Sequence, residues 1–264
     1  MGTFVNKLNN IYDNYNDATN TNFPESSIIK SYRNDMFLNE QSNTVVQQYS
    51  FQNLLRPLFN KKGIISPKIG NHPDFEYLQD TNEVAYSPIT TLMMDIEGST
   101  RLNLIFKPEE VQKIKNSIIC ATIELICSFD GHVHRIMGDA VMAFFGGKDK
   151  STENSIIDAI NCASLLQYFM EKVVRPRLDY DNPLGIRIGL DYGSKVLWSN
   201  YGYYNVNEVT ATSINVDVTA KLQHQAGRNN ILIGDALKKH IDFPSELLSY
   251  KQSGNQNDYM LRRT

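Results

Sequence analysis

Basic residues are not in excess. Lys and Arg number 26 against 29 Asp and Glu, a net charge of −3, so bulk electrostatics makes no case for nucleic acid or an anionic membrane surface. Cysteine is scarce: three residues do not make a secreted disulfide scaffold. Cys120 and Cys127 share one face of an apolar helical run and read as buried small hydrophobes, and zinc-ligand spacings are absent. Long apolar runs are missing too. The longest, Ile118 to Phe129, is interrupted by Glu124 and is too short to span a bilayer. The first residues show neither a basic start nor an apolar core of a signal peptide. Asn6 stands where a myristoylation signal at Gly2 wants Ser or Thr. The expectation is a soluble cytoplasmic protein with no nucleic acid and no membrane among its partners. Repeats of solenoid period are also absent.

What is present is enough apolar residue, 41%, for a substantial core. Residues 1–85 are the poorer part. The stretch to residue 50 is rich in Asn, Tyr, Ser and Asp. Phe4, Leu8, Ile11, Tyr12 and Tyr15 give weak helical spacing, and Asn14 to Ser27 reads as loop. Phe51 to Phe59 is a second apolar cluster, and Ser66-Pro67, Gly70 and His72-Pro73 punctuate a connecting segment. This part is too polar to fold alone and is expected to pack on the main domain or on a second subunit; the plain alternative is a partly disordered arm. Residues 86–264 form that main domain. Ile89 to Ile96 reads as a strand and Glu109 to Phe129 as a helix. Val133 to Met137 and Val141 to Phe145 make a hairpin, and a second helix starts at Thr152 and stops at Pro176. Two strands follow, Ile186 to Leu190 and Lys195 to Trp198, on either side of Asp191-Tyr192-Gly193. Then come a helix over Ser213 to Gln225, a strand over Asn230 to Ile233, a short helical piece over Leu237 to Ile241, and a closing hairpin of Leu248 to Lys251 and Asp258 to Arg262. The order β-α-β-β-α-β, with appended strands and an N-terminal extension, is that of a ferredoxin-like α+β sandwich.

Two stretches organise the chain. Thr91-Leu92-Met93-Met94-Asp95-Ile96-Glu97-Gly98-Ser99-Thr100 is a buried strand running into a carboxylate and a tight turn. His134-Arg135-Ile136-Met137-Gly138-Asp139-Ala140-Val141-Met142-Ala143-Phe144-Phe145 is a strand, a Gly-Asp turn and a strand. An aspartate ending an apolar strand is costly unless paired, hydrogen-bonded or metal-bound. The plain alternative makes each a turn residue. Side by side, the two would make a site for hard divalent cations.

Together with Ile186-Arg187-Ile188-Gly189-Leu190 and Val216-Asp217-Val218-Thr219-Ala220-Lys221-Leu222-Gln223, these motifs resemble the class III nucleotidyl cyclases over roughly residues 86–262. Within that class the length, the His72-Pro73-Asp74-Phe75 segment and the base-site residues look most like the bacterial pyrimidine cyclases of the Pycsar anti-phage system. The resemblance implies a site in which Asp95, Asp139 and the Ile96 carbonyl hold two Mg²⁺ or Mn²⁺ ions on a nucleotide triphosphate. Backbone N–H groups around Gly98, Ser99 and Thr100 would cradle phosphate oxygens. It further implies a homodimer with shared sites, each completed by the partner's helix at 213–225. The family's Asn and Arg positions on that helix are occupied here by Asp217 and Lys221, four apart on one face. Lys221 still brings a cation to the developing phosphorane, as a point charge, and Asp217 can accept from a ribose hydroxyl. The bland alternative is a solvent-facing Asp–Lys pair, and Asn215 rivals Asp217 for the ribose. Arg187 matches an arginine that can reach the triphosphate, or it is merely a charged strand end.

The two positions that set the base in that family hold Arg135 and Thr210, with Thr212 close by. Arg135 donates only and cannot accept from guanine's N1–H and amine. Thr210 lacks the carboxylate that an adenine amine prefers. A small ring with carbonyl oxygens fits, so the substrate is UTP or CTP. Uracil, showing more acceptors, is placed first. The implied product, cyclic UMP or cyclic CMP, acts on a separate effector protein. An adenylate cyclase with an atypical base site and a catalytically silent nucleotide-binding module remain open. His132 and His134 read as packing or surface, Trp198 as core, and Tyr201 to Tyr204 as pocket lining or loop. Lys251 falls near a triphosphate-binding lysine of the family, beside a Ser253-Gly254-Asn255 turn that is not family-typical.

Overall fold

The computed structural model describes residues 2–20, 49–178, 184–244, 247–253 and 256–261. The elements are α1 (Gly2–Asn20), α2 (Ser50–Leu55), β1 (Val84–Glu97), α3 (Ser99–Ile105), α4 (Pro108–Ser128), β2 (Gly131–Met137), β3 (Ala140–Gly146), α5 (Thr152–Phe169), β4 (Gly185–Tyr203), β5 (Val206–Thr212), α6 (Ile214–Gln225), β6 (Asn230–Gly234), α7 (Asp235–Lys238), β7 (Leu248–Ser253) and β8 (Gln256–Leu261). The sheet runs β2-β3-β1-β4-β6-β8-β7, and β5 pairs β4 off this path. Its first four strands and the helices α4 and α5 are the βαββαβ unit expected from the order of elements.

β1 is central because its residues are apolar on both faces. Leu92, Met94 and Ile96 join the main core with α4 and α5. The alternate residues Thr91, Met93 and Asp95 therefore point to the other face. There Ile89 and Met93 pack with Phe75, Phe144 and Trp198, and the Phe75 and Trp198 rings stack at 4.3 Å. α6 covers part of that face through Val216, Thr219 and Leu222, over β4 and β6. The helix α4 opens on Pro108 with acids at Glu109 and Glu110, and Glu110 accepts from the Lys107 N–H at 2.9 Å. Such a start satisfies donors that the first turn leaves unpaired.

Several expectations need correction. The two strands around Asp191-Tyr192-Gly193 are one continuous strand, β4, which keeps pairing with β1 across a bulge between Gly193, opposite Ile89, and Val196, opposite Ser87. β1 begins before Tyr86, and the short helix after β6 is Asp235–Lys238 rather than Leu237–Ile241. Helix α1 extends through residues 14–20, which the composition assigned to loop. The rest of Asn14 to Ser27, the Gly254-Asn255 turn and Arg262 lie outside the described residues.

The N-terminal elements are tied into the core by apolar contact and by buried polar bonds. Leu8, Ile11, Tyr12, Phe51 and Leu55 belong to the main cluster. Tyr12 and Phe51 meet Phe169 edge-on at 5.7 and 5.4 Å. Arg56 is buried and donates to the Cys127 carbonyl at the end of α4 at 3.0 Å and to the Asp130 carboxylate at 2.7 Å. The C-terminal carbonyls of a helix have no partner of their own, so a cation placed there is favourable.

Candidate active site

Strand pairing brings the two aspartates to one end of the sheet. Asp95 lies opposite Ala140 of β3 on one side and opposite Arg187 of β4 on the other. Asp139 precedes Ala140 in a two-residue turn, since Met137 pairs with Ala140. Gly138 has φ +68°, a left-handed conformation at the first central position, where hairpin turns favour glycine. Gly98, at φ +85°, turns the chain from β1 into α3 and so sets Ser99 against the same hairpin.

Each carboxylate has protein partners. The Arg187 guanidinium hydrogen-bonds Asp95 through Nη2. Ser99 donates its hydroxyl to Asp139 Oδ2, and Lys115 Nζ of α4 stands 3.6 Å from the same oxygen. The Asp95 and Asp139 side chains are 17% and 23% exposed, enough to be reached from solvent. Lys115 is a neighbour the sequence reading missed. It lies on the outer turn of an amphipathic helix, where lysine is ordinary. Of the expected cradle, Gly98 is the turn residue, Ser99 is buried and committed to Asp139, and Thr100 is exposed.

A second cluster sits where the base was expected. β2 carries one residue more than β3 between two paired positions: Val133 pairs with Ala143 and Arg135 with Met142. His134 is that extra residue, and a bulge re-aims neighbouring side chains. His134 Nδ1 lies 2.9 Å from the Gly70 carbonyl and Nε2 lies 3.0 Å from Thr210 Oγ1. Nδ1 is therefore the donor, and Nε2 accepts from the Thr210 hydroxyl. Burial lowers the His134 pKa to about 4, which keeps the ring neutral and this arrangement intact. His132 Nε2 also meets the Gly70 carbonyl at 2.9 Å, and the His72 ring packs on His132 and Trp198. Of the packing and surface readings left open for His132 and His134, the buried His134 takes the first, and both rings clamp the Gly70 carbonyl, which was not foreseen. Arg135 is not free: its Nε donates to Glu208 Oε2 at 2.9 Å and its Nη2 pairs with Oε1. Glu208, two residues from Thr210 on β5, was not foreseen. Thr212 is exposed at the end of β5.

Asn215, Asp217 and Lys221 form no hydrogen bond or ion pair with either cluster among the described residues. Asp217 and Lys221 are exposed on α6, and no ion pair joins them among the described residues. Asn215 is spent elsewhere, donating at 2.9 Å to Asp191. Asp191 is buried and also accepts from the Leu237 N–H at 3.0 Å. Burial pushes its carboxyl above the usual range, against the hydrogen bonds from Asn215 and the backbone. Trp198 is buried and donates to Ser87 at 2.9 Å. Lys251 lies opposite Asp258 in the closing hairpin.

Two carboxylates and a neighbouring backbone carbonyl form a hard oxygen set that fits Mg²⁺ or Mn²⁺. No three His, Cys, Asp or Glu side chains among the described residues converge on a metal position, so further oxygens would have to come from backbone and phosphate. Beside them the Arg187 Nε is buried without a hydrogen-bond partner among the described residues, a donor suited to a phosphate oxygen.

A βαββαβ sheet with paired aspartates at adjacent strand ends is the frame of a nucleotidyl cyclase domain. The sequence model of the adenylate and guanylate cyclase catalytic domain matches residues 82–255, and the chain belongs to that family. Its more particular relatives bear the name cytidylate cyclase. One from Escherichia coli is 41% identical over 264 residues, covering 96% of this chain and 57% of the relative. Another, from Staphylococcus aureus, is 42% identical over 254 residues, covering 93% and 57%. The chain thus spans little more than half the length of these relatives. Among solved structures, the adenylyl cyclase CyaB from P. aeruginosa matches with a TM-score of 0.60 at 19% identity, over 69% of this chain and 97% of that one. The guanylyl cyclase Cya2 matches at 0.57 and 21%, over 67% and 91%. At such identity they speak for the fold alone. No helix of the described residues is long and apolar enough to cross a membrane.

Proposed function

We propose that the chain is a pyrimidine nucleotide cyclase that converts CTP, and UTP less well, to the 3′,5′-cyclic monophosphate and pyrophosphate. The observation that carries this reading is the pair Asp95 and Asp139 brought to neighbouring strand ends, in a chain about 40% identical to proteins named cytidylate cyclase. The order of the two pyrimidines reverses the one drawn from Arg135 alone. The relatives' name favours cytosine, and Glu208 supplies an acceptor beside Arg135 that the argument from a lone donor did not have.

In this reading Asp95, Asp139 and the Ile96 carbonyl would hold two divalent cations, which would supply charge neutralisation on the triphosphate and activation of the ribose 3′-hydroxyl. Arg187 and Lys115, released from the aspartates, turn toward phosphate oxygens. Gly98, Ser99 and Thr100 line the turn beneath them. The ribose 3′-oxygen attacks the α-phosphorus in line, the bond to the β-phosphate oxygen breaks, and the hydroxyl proton leaves to solvent. Lys221 of a second copy steadies the charge growing on phosphorus, and Asp217 of that copy accepts from a ribose hydroxyl. Arg135, Glu208, Thr210 and Thr212 face the base. The exposure of Asp217 and Lys221 on α6 favours this division of labour between two chains. On the resemblance to Pycsar cyclases, the product is a second messenger that switches on a separate effector in anti-phage defence.

One feature favours a silent nucleotide-binding module instead: Asp217 and Lys221 stand where the family keeps Asn and Arg. Incubating the protein with each of CTP, UTP, ATP and GTP plus Mn²⁺ and resolving the products by chromatography decides between them. Cyclic CMP as the main product is expected. Cyclic AMP as the main product would instead favour an adenylate cyclase, and no cyclic product from any nucleotide would leave only the silent module.

A further inference from the structure

The base cluster is built by two rungs between β2 and β5. One is His134 to Thr210 and the other Arg135 to Glu208. Consecutive residues of a regular strand point to opposite faces. Here the bulge at His134 lets both residues of β2 reach β5, which pairs with β4 and not with β2 in the sheet. Glu208 and Thr210, two apart on β5, share a face by ordinary alternation. The Arg135 and Glu208 side chains are 38% and 34% exposed, so the ion pair is open along one edge.

Arginine has five N–H donors, and two are taken by the carboxylate. The open edge of the pair then reads, in order, an Nη1 donor, the second Nη2 donor and a free lone pair on Glu208 Oε1. Cytosine presents O2 and N3 as acceptors and the 4-amino group as a donor, the matching order. Uracil presents O2 as an acceptor, N3–H as a donor and O4 as an acceptor, and so meets the same edge with two mismatches when O2 is placed alike. Resting on the cyclase reading above, we propose that Glu208 is the residue that selects cytosine: it holds Arg135 in a bidentate pair and accepts the 4-amino proton, so that Arg135 and Glu208 act as one recognition edge. Without Glu208, Arg135 is a plain donor fork, which suits the two carbonyls of uracil. A mismatched buried polar pair is penalised far more than a merely absent contact, so the acceptor matters more than its single bond.

The test separates binding from turnover. Titration calorimetry with 3′-deoxy-CTP and 3′-deoxy-UTP in Mn²⁺, which lack the attacking hydroxyl, gives the cytosine-to-uracil affinity ratio. The wild type is expected to prefer cytosine, and Glu208→Ala to lower that ratio roughly tenfold, mainly by weakening the cytosine nucleotide. Glu208 is a surface-facing strand residue, and thermal unfolding confirms that the variant is folded. If it is not, Glu208→Gln carries the test: its amide offers Arg135 a donor in place of one acceptor, and the ratio is expected to fall at least about threefold. A ratio within twofold of wild type in a folded variant, or a wild type that binds both bases equally, overturns the proposal. Failure of the cyclase reading shows differently. No cyclic product would form from any nucleotide, while the affinity ratio would still respond to Glu208.

Discussion

Asp139 is shared among groups that compete for it. Ser99 donates to it and Lys115 stands 3.6 Å away, so both would have to give way if Asp139 held a cation. Asp139→Asn keeps the shape of the turn and the Ser99 contact but halves the anionic charge of the pair. Turnover of the preferred nucleotide is expected to fall roughly a thousandfold or more, with an unchanged circular dichroism spectrum. Cyclase activity within tenfold of wild type in the purified variant would show that the ion sits elsewhere. At this scale the sequence was informative where function made a residue odd for its place. Asp95 at the end of Thr91-Leu92-Met93-Met94 is such a residue. Lys115 and Glu208 were not visible because each is unremarkable in its own element. Their meaning comes only from a partner on another strand or helix, Asp139 for one and Arg135 for the other.

Between elements, the segment before β1 is clamped to β2 by neutral histidines. The Gly70 carbonyl receives both His132 and His134. Its N–H donates to the His134 carbonyl at 3.1 Å, and His72 is buried against His132 and Trp198. Burial, then the neighbouring His132, lowers the His72 pKa to about 4, and burial does the same for His134. Both values lie below the ordinary 6.5. Between pH 6.5 and 4 the unfolded chain therefore binds protons that the folded chain refuses, so stability falls as pH falls through that window. By pH 5 the loss is on the order of 2 kcal/mol per histidine. The urea midpoint should drop between pH 7 and pH 5, and drop less in His134→Gln. Equal shifts in the two proteins would remove His134 from this account. Element order was legible from apolar periodicity, and the hairpin from its Gly-Asp turn. The bulge at His134 was not, because nothing in His132-Val133-His134-Arg135 marks an extra residue until β3 is laid beside it. The break assumed at Asp191-Tyr192-Gly193 failed for the opposite reason. Gly193 looked like a turn, yet a Cβ there would lie 2.5 Å from Val196 and 3.3 Å from Asn215. Close approach, not a turn, is what that glycine serves.

Over the whole molecule, Asp217 and Lys221 stand exposed on α6 and pair with neither Asp95 nor Asp139 among the described residues. In a two-fold pair with shared sites, every site takes Asp95 and Asp139 from one copy and Asp217 and Lys221 from the other. An Asp95→Ala chain and a Lys221→Ala chain are each inactive alone in this arrangement. In a mixed dimer, one site collects both defects and the other collects none. Random exchange of equal amounts makes half of the dimers mixed, each with one working site of two, so the mixture should recover about a quarter of wild-type activity. The measurement is cyclic nucleotide formation before and after mixing, with exchange verified by differently tagged chains recovered together. Recovery is expected to appear only after exchange and to vanish when both substitutions are placed on the same chain and mixed with either single variant. Full exchange without recovery would mean that each chain completes its own site, and the exposed Asp217 and Lys221 would then be surface residues of α6 with no part in the chemistry.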